Sequence, residues 1–172
     1  MTFKQRFQSF VCEGDSISCE VAGFEIIARI VRDDCPDTPD QRRDGFWPSL
    51  YKDAPGFIGP GRSTGERSPR PFADPSHHGQ RFAEAQARAE AVMEAWRKDE
   101  WFYCGIVLSA ALEGVTLDAH AASLWGIEAN YPDSDNSYLT EVAQELLPEA
   151  LDAGRAAARR LCAALEISGA RA

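Results

Sequence analysis

The chain's densest run of oxygen ligands is "ANYPDSDNSYLTE", residues 129–141, where Asp133, Asp135, Asn136, Ser137 and Glu141 fall within nine positions. A calcium loop of the EF-hand kind needs oxygen ligands at positions one, three and five, Gly at six and a bidentate Glu at twelve. Counted from Asp133, the last two places hold Tyr138 and Gln144. Tyr does not make the Gly turn and an amide is not a bidentate carboxylate, so no metal is assigned here. The stretch reads instead as a helix start. Pro132 and Asp133 punctuate a turn, and Asp135, Asn136 or Ser137 offers an oxygen to the first helical N–H groups. Glu141 then suits the positive end of the helix dipole.

Other candidate chemistry is thinner. "GPGRSTGERS" (59–68) has the glycines of a phosphate loop, but Glu66 stands where the motif needs Lys, and no strand precedes it. His77 and His78 are adjacent and point to different sides of a helix, whereas a metal pair wants an i,i+4 spacing. Cys12, Cys19 or Cys35 could join a His only without any zinc-ligand spacing. His120 with Glu128 is the one acid–base pair worth naming as catalytic, and no nucleophile accompanies it. No cofactor and no metal are expected, and a non-enzymatic role is favoured.

The elements that would position these residues follow from periodicity. "DSISCEVAGFEIIARIV" alternates as a hairpin, with an Ala22-Gly23 turn setting Val21 opposite Phe24. Residues 33–75 hold eight of the ten prolines and read as a long loop excursion. Phe46, Trp47, Tyr51 and Phe57 in its first half suit packing over the domain, and 59–73 is expected to be mobile. Asp74 and Pro75 open a helix with Phe82, Ala85, Ala89, Val92 and Trp96 on one stripe and Glu94–Lys98 as an i,i+4 pair. A second hairpin turns at Glu113-Gly114, its return strand bulged at "DAHAA". The closing helix places Leu139, Val142, Leu146, Leu151, Ala158, Leu161 and Leu165 on its buried side, and Pro148 is expected to kink or divide it. Core positions are expected for Trp96 and Trp125. The whole predicts a single α+β domain over 1–172, ordered ββ-loop-α-ββ-α, with a four-stranded antiparallel sheet and both helices on one face.

Charge adds a constraint on partners. The chain carries −9, yet the span Asp99–Asp152 has eleven acidic residues and no Lys or Arg, which leaves +2 for the remainder. Phosphate backbones are gripped by Lys and Arg, so this half is a poor nucleic-acid surface. Direct nucleic-acid binding would fall to Arg62, Arg67, Arg70 and the Arg155, Arg159, Arg160 group, and ranks last. An acidic face can instead meet a basic protein surface. Asp118, Glu128, Asp133, Asp135, Glu141, Glu145 and Glu149, with Trp47 as an aromatic anchor, are the candidate contacts. The five cysteines form no C-x-x-C pair and fit a reduced, cytosolic setting. No run is long and apolar enough for a membrane span or a secretory signal.

"CPDTPDQRRDGFWPS", "EWFYCGIVLSAALEGVTL" and "ASLWGIEANYPDSDNSYLTEVAQELLPEAL" together resemble a family of small uncharacterised proteins carried by phages, plasmids and integrated mobile elements. The resemblance implies an accessory gene product working in a bacterial cytoplasm, and supplies no catalytic residues. Two functions follow as expectations. One is a non-enzymatic protein acting by protein–protein interaction, such as an acidic inhibitor of a host restriction or CRISPR complex. The other is a small enzyme or ligand-binding domain with a pocket between the sheet and the 33–75 loop, His120 and Glu128 at its polar centre.

Overall fold

The computed structural model describes residues 2–34, 38–39 and 76–169, with the side chains of 76–86 and 167–169 excepted. Trp47, Arg62, Arg67, Arg70, the expected mobile stretch 59–73 and the pocket wall expected from the 33–75 loop lie outside the described residues. The chain forms two compact units, one from Met1–Asp34 with Trp101–Ala172, the other from Cys35–Glu100.

The first unit holds β1 (Ser16–Val21), β2 (Phe24–Arg32), β3 (Phe102–Leu112), β4 (Val115–Ala129) and α2 (Ser137–Gly169). The second holds α1 (Ser76–Arg97). The strands make one antiparallel sheet in the order β1-β2-β3-β4. This is the α+β class and element order that the alternation and helical periods predict. Both hairpins close through two residues of positive φ, Ala22 and Gly23 (53° and 83°) and Glu113 and Gly114 (49° and 76°). That backbone matches the right-handed twist of the flanking strands, and it sets Val21 opposite Phe24 and Leu112 opposite Val115.

Period-two alternation decides which face is buried. Ile17, Val21, Phe24, Ile26, Ala28, Ile30, Phe102, Cys104, Ile106, Leu108 and Ala110 all join one core with α2. β4 follows β3 less evenly. Its register slips between Leu108 and Ala110, whose partners are Ala122 and Asp118, so the expected bulge lies at residues 119–121. A second slip takes Cys104 and Ile106 to Ile127 and Leu124.

α2 meets the sheet through small side chains. Leu139, Ala143, Leu147, Ala150, Leu151 and Ala157 are buried, while Val142, Leu146 and Ala158 are only partly so. Leu161 and Leu165, expected in the core, are 49% and 63% exposed, because burial on this helix stops near Ala157. A Cβ on Gly154 would come within 3.0 Å of the Ala110 methyl and 3.3 Å of the Phe24 ring. Close approach at Gly154 therefore sets the helix-to-sheet spacing. Pro148 does not divide α2, which runs unbroken over 33 residues. Pro148 lies on the exposed side of the helix, away from the packed face.

In the second unit, Ala89, Val92 and Met93 are buried on α1, Trp96 is intermediate rather than fully buried, and Glu94 pairs with Lys98 at 2.8 Å. The helix ends when Asp99 takes a φ of 62°, with Glu100 N donating to Ala95 O and Asp99 N to Trp96 O. Those two bonds satisfy carbonyls that the last turn would otherwise leave open.

Gly154→Val is expected to destabilise the fold by about 1–3 kcal/mol, because the added methyls have no room against Ala110 and Phe24. A urea midpoint unchanged from the parent would refute the close approach.

Candidate functional site

The acidic loop after β4 is organised by two asparagines. Asn130 and Asn136 both adopt a φ of 59°, a left-handed conformation that Asn tolerates better than most residues. Asn136 has no exposure. Its Oδ1 accepts from Asn130 N at 2.9 Å, and its Nδ2 donates to Asn130 Oδ1 at 2.8 Å and to Ser9 O at 3.0 Å. Asn130 continues the chain of bonds, donating from Nδ2 to Val11 O at 2.8 Å and accepting from Val11 N at 2.9 Å. The helix cap proper falls to Asp135, whose Oδ1 accepts from Ser137 N at 2.9 Å. That bond holds the Asp135 carboxyl below the usual range. Glu141 sits just past the first turn, which contains no acid.

These asparagines tie down residues 3–11, a segment to which the sequence reading assigned nothing. Phe7 N donates to Thr140 Oγ1 at 3.1 Å and Phe3 N to Gln144 Oε1 at 3.0 Å. The strap thus follows Asn136, Thr140 and Gln144 along one side of α2, while Phe3, Phe7 and Val11 enter the core. Four extended residues span about 13 Å and four helical residues about 6 Å. Bends at 4–5 and 9–10 take up the difference. The signal that could have revealed the strap is the spacing of Phe3, Phe7 and Val11 at every fourth residue. Between strap and β1 lies an open groove of about 450 Å³, lined by residues 5–8 and 15–17.

The candidate contacts divide into groups. Glu141, Glu145 and Glu149 are exposed on α2, as is Asp152. At about 100° per residue, the four carboxylates fall within an arc of about 80°. That arc lies opposite the helix face formed by Leu139, Ala143, Leu147 and Ala150. Among the described residues the cation that pairs with this stripe is Arg155, through Asp152 at 3.2 Å. Asp133 and Asp135 are exposed where α2 begins. Glu128 stands apart on β4, opposite Tyr103, and its carbonyl accepts from Tyr138 Oη. Asp118 lies toward the far end of β4, where its Oδ1 accepts from His120 N at 3.0 Å.

His120 and Glu128 are not brought together. Glu128 is level with Tyr103, while His120 lies in the bulge between the partners of Leu108 and Ala110. A rise of about 3.3 Å per residue separates those levels by roughly 20 Å. Trp125, expected in the core, is 46% exposed. Its indole lies over the backbone of Gly105, where a Cβ would fall 2.4 Å from the ring. Among the described residues no group of three or more His, Cys, Asp or Glu is placed to hold a metal ion. No described helix is long and apolar enough to cross a membrane. No family model, curated protein or solved structure matches the chain.

Two weak acids, the buried Cys104 and the half-buried Tyr138, give the core a pH limit. Burial, reinforced by Asp33, pushes the Cys104 thiol up to about 12, and burial with Glu128 and Cys104 pushes the Tyr138 phenol up to about 12. Their ordinary values are 9.0 and 10.0, so the unfolded chain ionises first. The stability they contribute is whole below pH 9 and is lost as pH rises toward 12.

Urea midpoints of the parent should therefore fall with a steeper slope above pH 9 than those of Cys104→Ala; parallel curves would contradict a buried neutral thiol. Asn136→Ala should cost about 2–4 kcal/mol, since it orphans Asn130 N and Ser9 O and puts Ala at a positive φ. Amide exchange at Phe3, Phe7 and Val11 should accelerate with it, and unchanged exchange at all three would show that the strap does not depend on the asparagines.

Proposed function

We propose that this chain is a non-enzymatic binding protein that presents the outer face of α2 to a basic surface on another protein. One observation carries the reading: Glu141, Glu145, Glu149 and Asp152 share a single exposed arc of a helix whose opposite side is fixed to the sheet. A rigid row of carboxylates keeps its spacing on approach to a partner, so long-range attraction steers association without a further ordering cost. Asp133 and Asp135 extend the row beyond the start of α2, whereas Asp118 and Glu128 lie apart on β4.

The setting comes from the resemblance to phage and plasmid accessory proteins. In a bacterial cytoplasm, a fitting basic surface is the nucleic-acid groove of a restriction or CRISPR complex, and a protein occupying it would inhibit that complex. Arg155, Arg159 and Arg160 follow on the same helix, all exposed. They lie in its C-terminal half and leave the acidic row toward the other end.

The test is competition with DNA for a purified restriction or CRISPR effector. The parent should displace DNA at low salt and progressively less as salt rises. Glu141→Lys, Glu145→Lys and Glu149→Lys together should weaken displacement by about tenfold or more. The same reversals at exposed Glu13, Glu25 and Glu113 should leave it nearly intact. Equal losses in the two triple variants would reduce the effect to net charge, and no displacement by the parent would end the proposal.

A further inference from the structure

The two edges of the sheet differ in a way that concerns partners. β4 breaks register with β3 at three places and takes a φ of 78° at Gly126. Irregularities of this kind keep an edge from pairing with another strand. β1 has none of them. Its six residues, "SISCEV", keep regular register with β2 and include neither Pro nor Lys. The two-residue turn makes Val21–Phe24 a hydrogen-bonded pair, and at the other end Ile30 N donates to Asp15 O at 2.9 Å. Alternation between those ends turns the backbone N–H and C=O of Ser16, Ser18 and Glu20 outward. All three residues are exposed, and among the described residues no strand pairs with that side of β1.

We infer that β1 is the pairing edge of a homodimer, in which two copies join β1 to β1 antiparallel and continue one sheet. The occupant follows from the strand's own sequence. With Ser18 on the two-fold axis, Ser16 of each copy faces Glu20 of the other, so a hydroxyl meets a carboxylate. Ile17 then faces Cys19 on the core side. The two Glu20 carboxylates belong to positions four residues apart, about 14 Å along the strands. An axis at Glu20 would set the two carboxylates face to face. Axes at Ser16 or Ile17 would leave Glu20 and Val21 opposite residues outside β1, and an axis at Cys19 would set Ser16 against Ala22 in the turn. Complementarity to itself in one register is what an isologous interface requires. The groove between residues 5–8 and 15–17 runs beside the first half of β1, and the second half of the other copy's β1 would enter there. The pairing does not involve the acidic face of α2, so the two proposals stand or fall separately.

Cross-linking reads the register directly. Opposed residues of a hydrogen-bonded antiparallel pair have Cα atoms about 5.5 Å apart, within disulfide range. In a full-length background with Cys12, Cys35 and Cys162 changed to Ser, Ser18→Cys should give a covalent dimer under mild oxidation. Glu20→Cys in the same background should remain monomeric. Sedimentation of the parent should show mass rising toward two copies with concentration. Ser18→Pro removes an outward N–H and no bond to β2, and should raise the dimer dissociation constant at least tenfold. If Ser18→Pro fails to fold, the contrast between Ser18→Cys and Glu20→Cys decides the matter. A parent that stays monomeric at every concentration, equal cross-linking of the two cysteine variants, or a dimer indifferent to Ser18→Pro would each overturn the inference.

Discussion

A buried amide must have its donors and acceptor satisfied, and Asn136 satisfies them across separate stretches of chain. Its three side-chain bonds reach Asn130 after β4 and Ser9 in the strap, while its backbone carbonyl accepts from Leu139 N as α2 begins. One residue thereby joins the end of the sheet, the start of the long helix and the amino-terminal segment. Leaving such groups unmade costs more than making them contributes, so the arrangement is held in nearly all-or-none fashion. Both exposed features of interest follow from it. The start and rotation of α2 turn Glu141, Glu145 and Glu149 to solvent, and the path of the strap leaves the groove beside β1.

Packing of α2 against the sheet works through absence of bulk. Ala143, Ala150 and Gly154 let the helix lie close to the sheet, Gly154 directly over Ala110 and Phe24, and the large side chains of the core come mainly from the strands and the strap. Burial ends near Ala157, although Ala163 and Ala164 carry the small residues further, and Leu161 and Leu165 are exposed despite continuing the apolar period. A related accommodation is made at Gly105, whose missing side chain leaves room for the indole of Trp125. The close seating of the Trp125 indole on β3 thus depends on a glycine in the neighbouring strand.

Much of the fold was legible because its signals are local. Alternation in β1, β2 and β3, the two-residue turns at Ala22-Gly23 and Glu113-Gly114, and the bulge near His120 all express backbone preferences over a few residues. The site was legible only in part. A four-residue spacing along a helix implies a shared face, so the grouping of Glu141, Glu145 and Glu149 is written in their positions. The separation of His120 from Glu128, and of Asp118 from the acids of α2, depends on how far β4 runs beside β3.

By itself, the sequence determined the order of elements, the buried face of each strand, the failure of the loop at 133–144 as a calcium site and the acidic row on the last helix. Each is a matter of period or side-chain chemistry, decided within one element. Tertiary structure alone decided that Phe3, Phe7 and Val11 form a strap, that Asn136 turns inward, that Pro148 leaves α2 undivided and that, among the described residues, no strand pairs with the outer edge of β1. Those outcomes rest on hydrogen bonds and contacts between residues as much as 141 positions apart. No local preference encodes them, because the partners meet only once the sheet and helix have assembled.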